Sequence, residues 1–259
     1  DVFGVPIEKV RIVQGDTDRG VGFGSAGSRS LFTAGSAVRV ASERTVEQAK
    51  DLAAQELEVA ATDVEYATGE FRVAGTDRRV GLFELAARRP NRGIFVESTS
   101  TVDGPTWPNG CHICEVEVDP DTGEVAVVSY CSVNDVGRVV NPMIVRGQLD
   151  GGAVQGIGQA LCEHVVYDRD SGQLLTASFL DYAMPRADMV RTFRTEMDES
   201  TPCKTNPLGV KGVGELGTIG ATPAVVNAVV DALWRAGAGD RALQIQMPLT
   251  GERVWRALH

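Results

Sequence analysis

Asn206-Pro-Leu-Gly-Val-Lys-Gly-Val-Gly-Glu-Leu-Gly-Thr-Ile-Gly-Ala-Thr-Pro-Ala-Val-Val-Asn-Ala-Val-Val-Asp-Ala-Leu233 is the stretch around which the chain is organised. Glycines at 209, 212, 214, 217 and 220 surround one lysine, Lys211, and one carboxylate, Glu215. An apolar run with helical spacing follows Thr222-Pro223. Thr222 suits the cap and Pro223 the first helical position, where its missing N–H costs nothing. The spacing therefore predicts a glycine-rich loop feeding a helix over about 224–236, a common way of holding an anion on backbone N–H groups. Glu215 does not fit a simple anion loop, because a carboxylate repels phosphate. Two readings stay open for it: a group placed for chemistry, or a solvated residue in a tight turn.

Working outward, the 259 residues are 43% hydrophobic and 23% charged, ordinary values for a globular protein with a real core. The net charge of −10, with no basic cluster long enough to follow a phosphate backbone, argues against nucleic acid as a partner. No membrane span is expected, since no apolar stretch is read as reaching the roughly 18–20 residues required. The chain begins at Asp1 without methionine, as a processed or excised piece would. Five cysteines in irregular positions argue against a disulfide framework and for a reducing, cytoplasmic setting. Cys111-His-Ile-Cys114 resembles half a zinc site, but no second pair follows, and no protein metal ligand is assigned.

Further secondary structure follows from pattern. Short strands are expected at Val10–Val13 and Ile94–Ser98, and a hairpin over Val64–Val73 around Thr68-Gly69. Gly20–Gly35 is a second glycine- and serine-rich loop, running directly into a long helix from Ser36 to about Glu58. Thr101–Gly110 is rich in turn formers and marks a junction between subdomains. Ile113–Val118 and Val125–Val133 alternate on either side of Asp119-Pro-Asp-Thr-Gly123, a second hairpin. A helix over about Pro142–Glu163 contains Gly147, Gly151, Gly152, Gly156 and Gly158, each costing roughly 1 kcal/mol relative to alanine. Such a helix offers a face for close approach by another backbone or by a flat ligand. Val190–Met197 reads as strand, and a terminal helix capped at Thr250 closes the chain.

Three blocks taken together resemble the molybdenum-bearing large subunit of the xanthine dehydrogenase, aldehyde oxidoreductase and carbon monoxide dehydrogenase family. They are Gly27-Ser-Arg-Ser30, the run from Glu115-Val-Glu-Val-Asp through Gly137-Arg-Val-Val-Asn-Pro142 to Gly147-Gln148 and Gln155-Gly-Ile-Gly-Gln159, and Lys211-Gly-Val-Gly-Glu215. The resemblance covers the C-terminal portion of those larger subunits; the upstream half is absent from this sequence. It implies an α+β fold, a molybdopterin-binding domain with two mixed α/β subdomains, approximately 1–104 and 105–259, and glycine-rich cofactor loops. It implies Glu215 as general base beside a molybdenum held by molybdopterin, in the cytosine dinucleotide form. Gly27, Ser28, Arg29 and Ser30, Gln148 and Gln155, and the backbone of Lys211, Gly212, Val213 and Gly214 are the cofactor-binding set. Partners would be the remainder of the subunit, iron–sulfur (2Fe-2S) and FAD subunits in a higher oligomer, and a small-molecule substrate, an aldehyde or an N-heteroaromatic. Alone, the chain is expected to be inactive. Two alternatives remain: a cofactor-free paralogue or scaffold fragment, and a generic phosphate binder, although Lys211 is followed by glycine rather than Ser or Thr.

Overall fold

The computed structural model describes residues 1–19, 22, 24–99 and 102–259. Gly20, Val21 and Phe23 of the second glycine-rich loop, and Thr101 of the junction loop, lie outside them. The chain forms two compact units: Asp1–Ala26, Ser30–Gly104 and Thr205–Leu208 in the first; Gly27–Arg29, Pro105–Lys204 and Gly209–His259 in the second.

In the first unit a π-helical turn, Leu31–Gly35, leads into helix α1, Ser36–Glu56. The Ser36 hydroxyl donates to the Phe32 carbonyl at 2.5 Å and is buried there. Strands β1 (Val64–Ala67), β2 (Glu70–Val73) and β3 (Arg79–Gly81) form an antiparallel sheet in sequence order, followed by α2 (Leu82–Ala87). Thr68 and Gly69, both at positive φ, make the two-residue turn expected of a tight hairpin. Phe71, Leu85, Val64 and the alanine face Ala49-Ala53-Ala54 close the core. Burying a side chain the size of Phe71 or Leu85 contributes about 1.5–3 kcal/mol. The strands expected at Val10–Val13 and Ile94–Ser98 do not form. Ile12 is 80% exposed and Phe95 72%; Ile94 packs against the first unit's core, but among the described residues neither segment has a partner strand, and extended backbone without a partner is not a strand.

The second unit is built on β4 (Asn109–Val118), β5 (Val125–Asp135) and β6 (Val190–Asp198), in that order, β4 antiparallel and β6 parallel to β5. Helix α3, Pro142–Leu161, lies in the connection between the parallel pair, as parallel strands require. Asn141 caps it, its side chain accepting the Ile144 N–H at 3.1 Å, with Pro142 in the first turn. Helix α4 runs from Leu216 to Arg235; α5 (Asp240–Leu243) and α6 (Gly251–Leu258) follow. Val127, Tyr130, Ala153, Ile157, Val225, Val229 and Leu233 share one core. The Thr250 position precedes α6 as expected, but its hydroxyl makes no capping bond.

Helix α4 corrects two expectations. It starts at Leu216 rather than after Thr222, with Glu215 at the N-cap and Pro223 inside the helix. Proline there removes the bond to the Ile219 carbonyl, and Ile219 is 67% exposed, so water can take over that acceptor. What holds the added turns is packing on α3. A Cβ at Gly217 would stand 2.4 Å from the Leu149 carbonyl oxygen and 2.6 Å from the Ala153 nitrogen; one at Gly156 would stand 2.8 Å from the Ala221 Cβ. Thr222 turns its hydroxyl to α3, bonding Gly156 O at 3.2 Å and Gln159 Oε1 at 3.1 Å. The helix is also long and apolar enough to cross a membrane, against the expectation that no such stretch exists. Its Ala221, Val225, Val229 and Leu233 form the core of this unit, which accounts for the apolar composition.

The α3–α4 seam gives a first prediction. Gly217→Ala would gain about 1 kcal/mol in a free helix. Here the new methyl meets backbone atoms that cannot rotate away, and overpacking costs about 1–3 kcal/mol. Thermal unfolding should therefore come several degrees earlier, while Gly151→Ala, with nothing within 4 Å of its Cβ, should be neutral or stabilising. Equal melting temperatures for the two variants would contradict the seam.

Candidate functional site

The loop from Lys211 to Glu215 is tied down at its first half. The Lys211 N–H donates to the Val136 carbonyl at 2.8 Å, and its ammonium reaches Asp135 Oδ2 at 2.5 Å. Both side chains are largely buried, 7% and 15% exposed, and Asp135 Oδ1 also accepts the Gly137 N–H at 2.9 Å. Gly137 is at φ +64°, and a Cβ there would stand 2.4 Å from the Gly209 carbonyl oxygen, so only glycine lets the two segments approach. The Gly212 N–H donates to Thr106 Oγ1 at 3.0 Å. Val213 turns its side chain to Val136, Val145 and Leu149. Among the described residues, no protein acceptor lies on the Val213 or Gly214 N–H.

Glu215, exposed rather than enclosed within this chain, ends the loop at the first turn of α4. The turn Gly27-Ser28, both residues at positive φ, is brought against it across 187 positions of sequence. Ser28 Oγ donates to Glu215 Oε2 at 2.6 Å and accepts the Glu215 N–H at 3.0 Å. Unpaired N–H groups beside the positive end of a helix dipole favour a bound anion, while the carboxylate next to them is an acceptor.

The remaining expected site residues are placed as follows. Arg29 is half-buried next to Ser28. Ser30 belongs to the first unit, with its hydroxyl 2.6 Å from that of Ser25. Gln148, exposed on α3, stands close to the loop, its Nε2 being 3.9 Å from where a Gly214 Cβ would lie. Gln155 is exposed two turns further along nearly the same face of α3. Cys111 and Cys114, three apart on β4, point to opposite faces, the first exposed and the second against the core. Burial pushes the Cys114 thiol up to about 11, and Glu115 adds to the shift.

Pattern reading missed a polar group that only the β4–β5 register brings together. His112, opposite Ser132, has Nδ1 2.6 Å from the Tyr130 hydroxyl and Nε2 3.1 Å from Asn134 Oδ1. Asn134 Nδ2 donates to Ser132 Oγ at 3.0 Å, which leaves its Oδ1 as acceptor. Every partner is satisfied when the Tyr130 hydroxyl donates to Nδ1 and the Nε2–H donates to Asn134 Oδ1. Burial raises the Tyr130 hydroxyl above its ordinary value. The imidazole lies against α4: a Cβ at Gly220 would stand 2.4 Å from Nδ1. His112, Leu216, Ile219, Gly220 and Pro223 line a cavity of about 450 Å³ at the start of α4. The segment Thr176–Pro185, for its part, contributes Phe179, Leu180 and Met184 to a separate cavity of about 620 Å³.

Comparison with known proteins gives the family. The family model for a molybdopterin cofactor-binding domain matches residues 1–191. The gamma subunit of the 6-hydroxypseudooxynicotine dehydrogenase complex of Paenarthrobacter nicotinovorans is 36% identical over 96% of this chain and 32% of its own length. The carbon monoxide dehydrogenase large chain of Afipia carboxidovorans is 36% identical over 98% of this chain and 32% of its own. Among solved structures, quinoline 2-oxidoreductase from Pseudomonas putida 86 superposes with a TM-score of 0.83 at 36% identity, covering all of this chain and 34% of that one. The chain thus spans about a third of the length of these relatives. By domain model, relatives and fold, it belongs to the molybdopterin-binding large-subunit family of the molybdenum hydroxylases.

Proposed function

We propose that this chain is the molybdopterin-binding portion of a hydroxylase large subunit, with Glu215 as its general base. The observation that carries the reading is the Ser28-bound carboxylate of Glu215, preceded in the loop by two N–H groups with no protein acceptor among the described residues, and with the Gln148 amide near Gly214. This donor set fits a molybdopterin: the Val213 and Gly214 N–H groups and Gln148 would hold its pterin or phosphate oxygens, with Gly27–Arg29 and Gln155 bordering it. When bound, the group supplies two-electron redox chemistry at molybdenum. The residues of this chain would orient it, and Glu215 would accept the proton released as water oxygen is transferred to carbon. The net change is C–H plus water to C–OH, two protons and two electrons, the electrons leaving through iron–sulfur and FAD partners.

Relatives named for nicotine and quinoline, 37% and 36% identical, support an N-heteroaromatic substrate ahead of an aldehyde, for which an Escherichia coli relative is 29% identical; a carbon monoxide dehydrogenase large chain, at 36%, is as similar as the quinoline enzyme. Relatives named as large chains and as a gamma subunit of a complex support assembly with other subunits and activity only in that state. We read the pterin as the cytosine dinucleotide and the compartment as cytoplasmic, the latter supported by five free cysteines. The test is turnover of the assembled complex in ¹⁸O-labelled water, with molybdenum quantified on the same sample. Label in the product and about one molybdenum per chain are expected. An assembled, metal-free complex without turnover would favour the cofactor-free paralogue, and unlabelled product would sink the hydroxylation chemistry.

A further inference from the structure

The Gly-Val-Gly pattern before Glu215 reads as an anion loop, but two of its glycines meet a protein group. A Cβ at Gly212 would stand 2.6 Å from the Ser28 carbonyl oxygen and 2.9 Å from the Ser28 Cβ; one at Gly214 would stand 3.2 Å from Ser28 Oγ. Both positions are bare where Ser28 enters. Ser28 itself is held at φ +55°, a conformation that a non-glycine residue keeps only when its surroundings impose it. Its single hydroxyl hydrogen is committed to Glu215 Oε2, and one of its lone pairs to the Glu215 N–H.

We infer that Ser28 is the positioning residue of Glu215, an inference that rests on the general-base reading of Glu215. The two bonds close a ring through Glu215's own backbone and side chain, so a flexible side chain with three rotatable bonds is held in one orientation. Oε2 is occupied by the serine proton. Oε1 has no protein donor among the described residues, and it is the oxygen left to accept the water-derived proton. Upon protonation at Oε1 the Ser28 bond to Oε2 persists, so the carboxyl group does not rotate between the charged and neutral forms. The same bonds leave Ser28 no hydrogen to donate to a phosphate or pterin, which takes its hydroxyl out of the cofactor-donating set.

The experiment uses the assembled holoenzyme with Ser28→Ala, Ser28→Gly, Ser28→Cys and Glu215→Gln, reading kcat, KM and molybdenum content for each. Glycine relaxes the left-handed backbone while removing the hydroxyl, so it separates loss of the bond from strain. Alanine and glycine variants should lose about 10–100-fold in kcat with KM and molybdenum unchanged, since a misplacement of about 1 Å costs roughly 10²-fold. Cysteine, a weaker donor of similar size, should recover part of the loss. Wild-type kcat in the alanine and glycine variants, with Glu215→Gln inactive, would overturn the role of Ser28 and leave the general base standing. So would a fall in kcat that tracks a fall in molybdenum. Wild-type turnover in Glu215→Gln would remove the general base, and Ser28's role with it.

Discussion

Glu215→Gln in the assembled enzyme should lower turnover by about 10²–10⁴-fold, the range that a positioned proton acceptor supplies. The substitution is nearly isosteric, and its amide oxygen can still accept the Ser28 hydroxyl that now lies 2.6 Å from Oε2. The helix start at Leu216 needs no side-chain bond from residue 215, so α4 keeps its first turn. What is lost is the capacity to take up a proton at this position. Molybdenum content and melting temperature should stay near wild type, which separates the chemical role from a structural one. Unchanged turnover would eliminate Glu215 as the base; a parallel loss of molybdenum would make it a cofactor-holding residue instead.

Lys211→Met should produce the largest loss of stability, about 3–5 kcal/mol, because it leaves a buried carboxylate without its counter-charge. Asp135 is 15% exposed and among the described residues would retain only the Gly137 N–H as a donor. Methionine fills a similar volume, so the effect reads charge rather than packing. The double variant Lys211→Met/Asp135→Asn should recover most of the loss: asparagine keeps an acceptor for Gly137 without a charge to bury. Chemical denaturation of Lys211→Met, of Asp135→Asn alone, of the double variant and of the parent gives the coupling directly. A Lys211→Met midpoint at the wild-type value would show that the pair contributes nothing. The lysine of the glycine-rich motif is thus an internal anchor for the loop that carries Glu215, not a cation offered to a ligand.

Local signals were sufficient where one element decides its own structure. The β4–β5 hairpin follows from alternation and from Asp119–Gly123, whose backbone bonds fold onto Asp119; Asn141-Pro142 marks the start of α3. Local pattern puts the start of α4 after Thr222 because Thr222-Pro223 is a local start signal, and the override comes from α3, where Gly152 and Gly217 let two helices touch. Of the candidate site, Glu215, Gln148 and Gly27–Arg29 were recognisable as types in an order. The bonds among them were not, since Ser28 and Glu215 are 187 positions apart. His112 gave no signal, because its partners Tyr130 and Asn134 become neighbours only once β5 is in register with β4.

The same 187-position separation sets an order of events during synthesis. At about 5–20 residues per second, roughly 10–40 s pass between the emergence of Ser28 and that of Glu215. Throughout that interval the Gly27-Ser28 turn has nothing to close on. The clasp cannot close before Glu215 has emerged, so whatever occupies it has to arrive after that point in synthesis.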